Sequence, residues 1–235
     1  MKKIVLYTVF LCITLVNVFS QANILTAADF FEKVSQNLGA IENYEADMSI
    51  KLNTNEEPML ARVSFKQPNL LRIDFSKPKT QAIVFNGNLL TIYLSQSNVI
   101  LNQTVESTGS STQGMNLATP EGLSLMKRYY SISYLSGQEP VALDPDAVGT
   151  QEAEEMVVKL RLVRKNITEG FRTIILSISP DTLLIRRVIA ESVDDKTYVF
   201  DFKNYALNQN IPDMRFLFDM PSAGSTFNDF LFAEE

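Results

Sequence analysis

Tyr44, Ala46, Met48, Ile50 and Leu52 alternate without a break with Glu45, Asp47, Ser49, Lys51 and Asn53. Successive side chains of a strand point to opposite faces, so this segment has one apolar face and one wetted face. The pattern then repeats. Met59, Ala61, Val63 and Phe65 alternate with Arg62, Ser64 and Lys66, and Leu71, Ile73 and Phe75 alternate with Arg72, Asp74 and Ser76. The turns between are Asn55-Glu-Glu-Pro58 and Pro68-Asn69, and Lys77-Pro78-Lys79 closes the third ribbon. Residues 81–85 and 89–94 flank Asn86-Gly87, a favoured hairpin turn, and 99–105 makes a sixth strand. Strands resume at 156–164, 171–179, 183–192 and 197–205, with a short last one at Met214–Phe218. The sum is about ten or eleven antiparallel strands joined by short turns.

Two helices are added, with room for a third. Thr26-Ala-Ala-Asp29 reads as a capping box with Asp in place of Glu, and it opens an amphipathic helix over 27–39 that ends at Gly39. Thr119-Pro120-Glu121 opens the second, with Thr as N-cap and Pro at the first position. Residues 106–118 are a polar loop without periodicity, and 144–155 is an acidic, turn-rich connection. A sheet of so many strands curls, because strands twist. Two short helices are scant cover for its apolar face. Either the sheet closes on itself, or its concavity holds something apolar.

Composition removes most catalytic chemistries. The 235 residues include no His, no Trp and one Cys. Zero His excludes Ser-His and Cys-His nucleophile pairs and every His-ligated metal. Cys12 lies in an apolar N-terminal run, so the folded part has no disulfide and no thiol chemistry. With 27 acidic against 21 basic residues and no basic run, the chain is a poor nucleic-acid binder. The acids Asp144, Asp146, Glu152, Glu154, Glu155, Asp194 and Asp195 fall in expected loops without EF-hand spacing. They read as solvated turns rather than as a Ca²⁺ site or a glycosidase pair, and no metal or cofactor is expected. The Asn-x-Thr sequons at Asn102 and Asn166 read as chance matches.

Lys2 and Lys3 precede an apolar stretch from Ile4 to Val16, and Val18-Phe19-Ser20 ends in a small residue. This is the pattern of a secretory signal peptide, cleaved after Ser20. The mature part, residues 21–235, is then expected to be one domain outside the inner membrane.

From Phe31 onward the chain resembles the periplasmic outer-membrane lipoprotein carriers, the LolA-like family. The residues that carry the resemblance begin with the first helix and Ile41-Glu-Asn-Tyr-Glu-Ala46. Phe65-Lys-Gln-Pro-Asn-Leu-Leu-Arg-Ile-Asp-Phe75, Pro78 and Val84-Phe-Asn-Gly-Asn-Leu-Leu-Thr-Ile-Tyr93 follow. The Thr119-Pro120 helix and Arg215-Phe-Leu-Phe-Asp-Met-Pro221 come last, in the same order. No single motif is strong; the ordered set is.

The resemblance implies a mainly β protein, an unclosed β-barrel under a helical lid, without enzymatic activity. Met48, Ile50, Leu52, Met59, Val63, Phe65, Leu71, Ile73 and Phe75 would line an acyl-chain hollow. Phe31, Val34, Leu38, Leu123, Met126 and Tyr129 would form the lid. Family members carry an Arg before the Pro that latches the lid; the matching position here is Gln67. The implied partners of such a periplasmic monomer are acylated lipoproteins, an inner-membrane ABC lipoprotein-release transporter and an outer-membrane acceptor. The alternative is a lipid or lipoprotein sensor of the same fold that regulates an envelope-stress partner. The loop at 106–118 and the Phe-rich tail have no counterpart in the family pattern.

Overall fold

The structure, a computed structural model, describes residues 25–53, 57–105, 120–219 and 224–229. The expected signal peptide, the 106–118 loop, Thr119 and the phenylalanines of the tail beyond 229 lie outside the described residues.

Helix α1 (Ala27–Gly39) starts at Thr26, whose hydroxyl accepts from the Asp29 backbone N–H at 3.1 Å and donates to the Asp29 carboxylate at 2.6 Å. That is half of a capping box: the shorter Asp side chain meets the Thr hydroxyl instead of the cap N–H. Strands β1 (Asn43–Leu52), β2 (Met59–Lys66), β3 (Leu70–Lys77), β4 (Ala82–Asn86), β5 (Leu89–Leu94) and β6 (Val99–Thr104) form an antiparallel meander. The β4–β5 hairpin centres on Gly87-Asn88, not Asn86-Gly87. Gly87 holds φ +96°, and the Asn86 carboxamide oxygen accepts from the Asn88 and Leu89 backbone N–H groups. Gly at the first central position is the type II′ solution.

Helix α2 (Pro120–Tyr129) leads to β7 (Tyr130–Tyr134), β8 (Val141–Ala142), the single-turn helix α3 (Gln151–Glu154) and β9 (Met156–Arg164). Strands β10 (Phe171–Ile178), β11 (Ile185–Ser192) and β12 (Thr197–Leu207) complete a second meander. β12 pairs antiparallel with β1 and joins the two meanders into one sheet, which a last short strand, β13 (Ser225–Asn228), completes in the order β13-β6-β5-β4-β3-β2-β1-β12-β11-β10-β9-β7. The sheet curves but does not close into a barrel. Helices α1 and α2 pack into its concave side, where Phe31, Phe65, Leu123, Leu160, Leu162, Ile174, Leu176 and Ile178 are wholly buried.

The expected strand at 214–218 is absent: Asp213–Phe216 is a 3-10 turn. The chain here crosses the convex side as a strap. Lys66 Nζ donates to the Ile211 carbonyl, Arg72 donates to the carbonyls of Arg215 and Leu217, and Arg215 pairs with Asp74 at 2.7 Å. Phe216 is buried and the Phe218 ring packs on Tyr93 at 5.5 Å. The strap explains why Val84, Thr91, Ile100 and Asn102, on the outward face by register, are buried. Asn102, one of the sequon residues, accepts from the Thr91 hydroxyl inside this second small core. Beyond the strap, β13 (Ser225–Asn228) adds to the β6 edge in parallel, the one departure from an antiparallel sheet among the described pairs. Gly224 permits the approach, since a Cβ there would sit 3.0 Å from Ile100 Cδ1.

Candidate functional site

The concave face is not filled to its edge. Between the second half of α1 and the strands beneath lies a cavity of about 240 Å³. α1 contributes Val34 and Leu38. β1 contributes Tyr44, Met48 and Ile50, with Val63 from β2, Leu71 and Ile73 from β3, and Ile83 from β4. The other side is Leu183 to Ile185, Val188 of β11, and Phe200, Phe202 and Tyr205 of β12. No charged side chain is among them. The Tyr205 hydroxyl donates to the Ile185 carbonyl at 2.8 Å. Burial pushes the ionisation of both tyrosines well above the ordinary phenol range, so the wall stays neutral.

α1 is held like a beam clamped at one end. Its first half is anchored in the core through Phe30 and Phe31, with Phe30 against the Tyr134 ring at 6.3 Å and Glu32 paired to Lys127 of α2 at 2.8 Å. Its second half spans the cavity. There Gln67 Nε2 donates to the Gly39 and Ile41 carbonyls at 2.8 and 2.9 Å, and Asn37 donates to the Thr182 carbonyl at 3.0 Å. These are neutral hydrogen bonds, each worth roughly 0.5–1.5 kcal/mol net. Leu183 opposite sits at φ 56°, a strained conformation for a branched side chain, and it faces the cavity.

Of the residues expected in a hollow, Met48, Ile50, Val63, Leu71 and Ile73 meet around this space. Phe65 does not; it is completely buried in the packed core. Phe75 packs against that core, and Leu52 and Met59 are half-buried near the ends of β1 and β2. Of the expected lid residues, Val34 and Leu38 line the cavity. Phe31, Leu123 and Met126 are core, and Tyr129 packs against it. Sequence reasoning missed the whole β11–β12 wall. Its signal was present, since Phe200 and Phe202 alternate with Asp201 and Lys203, but the pairing that brings them beside β1 is long-range.

The acidic connection is a second departure from expectation. Asp144, Glu152 and Glu155 are not free in solvent: they engage Arg186 and Arg187, which also share Asp201. Burial alone would raise the Glu152 carboxyl, but Arg187 and Lys203 hold it below its usual range. Among the described residues no cluster of His, Cys, Asp or Glu suits a metal, and no helix is long and apolar enough to cross a membrane.

No curated protein matches the chain. A solved structure of an uncharacterized conserved protein from Thermus thermophilus is similar, with TM-score 0.56 and 15% identity over 86% of this chain and 98% of that one. MucB is similar with TM-score 0.51 and 10% identity, over 82% of this chain and 62% of that one. A LolA superfamily protein from Nitrosomonas europaea matches at TM-score 0.40 and 12% identity, over 82% and 97%. At these identities the likeness to the first two is one of fold. The family model for the outer membrane lipoprotein carrier protein LolA matches residues 60–219, from the start of β2 through the strap. The chain belongs to the LolA family.

Proposed function

We propose that this protein is a periplasmic carrier that shelters acyl chains of lipoproteins in the cavity beneath α1 and moves them from the inner to the outer membrane. The observation that carries the reading is the uncharged hollow of about 240 Å³, roofed by a helix end held with neutral hydrogen bonds. Family membership supports it. Residues 1–20 act as the cleaved signal peptide, and residues 21–235 form one domain. The role is binding, not catalysis. The partners are acylated lipoproteins, an ABC lipoprotein-release transporter and an outer-membrane acceptor.

The energetics suit a carrier. A buried methylene is worth roughly 0.8 kcal/mol, so a sixteen-carbon chain fully sheltered gains on the order of 12 kcal/mol. The hollow lies just under the roughly 300–1,000 Å³ of ordinary ligand sites, so it takes part of a chain as it stands. Partial shelter permits both aqueous transit and release. More chain enters if the second half of α1 lifts from Gln67 and Asn37.

Native mass spectrometry of the protein purified from its own source, followed by lipid extraction, tests this. Acylated species bound to it are expected. A bare protein that also fails to bind a fluorescent acyl probe overturns the reading. The alternative, a lipid or lipoprotein sensor of this fold, predicts a stable protein partner and no transfer of acylated cargo to acceptor vesicles.

A further inference from the structure

The two ends of the sheet differ. At one end lie the close of α1, Gln67 and the start of β1, with Thr182 opposite. At the other, the finish of β1 meets the start of β12, since Leu52 pairs with Tyr198 and the Asn53 N–H donates to the Thr197 carbonyl. The β9–β10 and β11–β12 turns come to this second end, where the Val193 N–H donates to the Gly170 carbonyl. So does the close of α2, whose Lys127 and Arg128 carbonyls accept from Lys165 Nζ. The apolar concave face is still half-exposed here, at Leu52, Met59, Phe75, Phe171 and Tyr198. Ile50 and Phe200, paired two residues in from Leu52 and Tyr198, line the hollow, so the hollow faces this end.

Two features mark this end. Ile167 and Val193 stand at the tips of the two turns, 82% and 52% exposed. The first tip is held in shape, because Arg164 Nη1 donates to the carbonyls of Ile167 and Glu169. Apolar tips held out in water gain wherever they meet an apolar phase. The second feature is charge. Arg128, Arg164 and Lys165 bond carbonyls or a ring, and none pairs with a carboxylate among the described residues. The described acids of this end are matched or buried: Asp194 pairs with Lys196, Asp195 with Arg172 and Glu57 with Lys77, and Glu169 is buried, which leaves Glu191 as the exposed acid. A chain of formal charge −6 thus carries a cationic end. Exposed acids such as Glu42 before β1, Glu154 before β9 and Asp181 before β11 lie at the other.

We propose that this end is a docking surface for an anionic phospholipid bilayer, which the protein meets with the open end of the hollow first. The unmatched cations take the headgroups and Ile167 and Val193 enter the interface. The acidic end is repelled, so one orientation is favoured. Two single apolar tips beside cations suit a fluid interface, which needs no matching pocket, better than a protein partner, which does. In this pose the half-exposed rim faces lipid, and an acyl chain passes between bilayer and hollow without crossing bulk water. That last step rests on the reading of the hollow as the acyl site; the docking itself does not.

The test is co-flotation of the protein, purified from its own source, with phosphatidylcholine vesicles made with or without phosphatidylglycerol. Binding to the anionic vesicles is expected, weakened by high salt, with none to phosphatidylcholine alone. Arg128→Gln should weaken it about fivefold, the scale of one cation at an anionic surface. Lys203→Gln, which removes an equal charge near the other end, should leave it unchanged. Ile167→Ser combined with Val193→Ser should weaken it, and Met214→Ser, an equally exposed apolar site on the strap, should not. All five positions are exposed, so the fold is kept. Equal binding to both kinds of vesicle, or equal effects of the two charge variants or of the tip and strap variants, overturns the proposal. So does the absence of vesicle binding, which leaves the cationic end to an acidic protein. Vesicle binding by a protein that takes up no acyl probe would overturn the hollow and keep the docking; acyl uptake without vesicle binding does the reverse.

Discussion

Leu71 and Phe65 are cross-strand partners on the same concave face, yet only Leu71 borders the hollow. Both are buried, at 5% and 0% exposure. Replacing each with glutamate therefore separates a container from a packed core. Leu71→Glu forfeits the burial of one leucine, roughly 1.5–3 kcal/mol. Its carboxylate, however, points into a space of about 240 Å³, and one water needs only ~10–15 Å³ of such volume. The charge can be hydrated, and the several kcal/mol of burying it bare are largely avoided. Phe65→Glu loses a wholly enclosed ring, worth ~3–5 kcal/mol by truncation alone, and then strands a charge with no room for water. Against a total stability of ~5–15 kcal/mol, the first change should leave a folded protein and the second should not. Melting temperature and binding of a fluorescent acyl probe are measured together. The expected result is a folded Leu71→Glu that no longer binds and an unfolded Phe65→Glu. Two equally unfolded variants would show that the concavity is sealed core. A folded Leu71→Glu with full binding would remove the hollow from the acyl site.

Gln67→Ala removes both bonds to the end of α1 and should cost ~1–3 kcal/mol and speed release of a bound acyl probe in stopped flow. Gln67→Arg, with charge-assisted bonds to the same carbonyls, should slow it; unchanged rates in both refute a latch at this position. Phe216→Ala should cost ~3–5 kcal/mol and raise amide exchange in β3 and β4 under the strap while leaving acyl binding intact. Ionised Glu152 has its pKa lowered below 4.5, so its contribution to stability is present above 4.5 and is lost as pH falls through the lowered folded value. Thermal melts from neutral pH to well below 4.5 should show a flatter acid limb in Glu152→Gln than in the wild type; identical limbs would exclude the pairing with Arg187 and Lys203.

The alternation of Tyr44 to Leu52 and its repeats was enough to set strand identity and inward face, because side-chain direction in a strand depends only on parity. Thr26 and Gly39 marked the limits of α1 for an equally local reason, the satisfaction of end N–H groups and the stop of the helix. The surplus of apolar face over helix likewise announced a concavity. Parity does not say which strand lies alongside which. Only the β1–β12 pairing brings Phe200, Phe202 and Tyr205 opposite Val63 and Leu71, and so makes a hollow with two walls. Phe65 and Leu71 read alike in sequence; their different fates depend on where α1 stops covering the sheet. Arg186 was hidden because a bulge breaks parity, and the acids of 144–155 looked solvated because their partners lie some thirty or more residues ahead in the chain. The strap escaped for a related reason. Arg215 and Phe216 have strand-like neighbours in sequence, but the convex face they cover exists only once β3 to β6 have assembled.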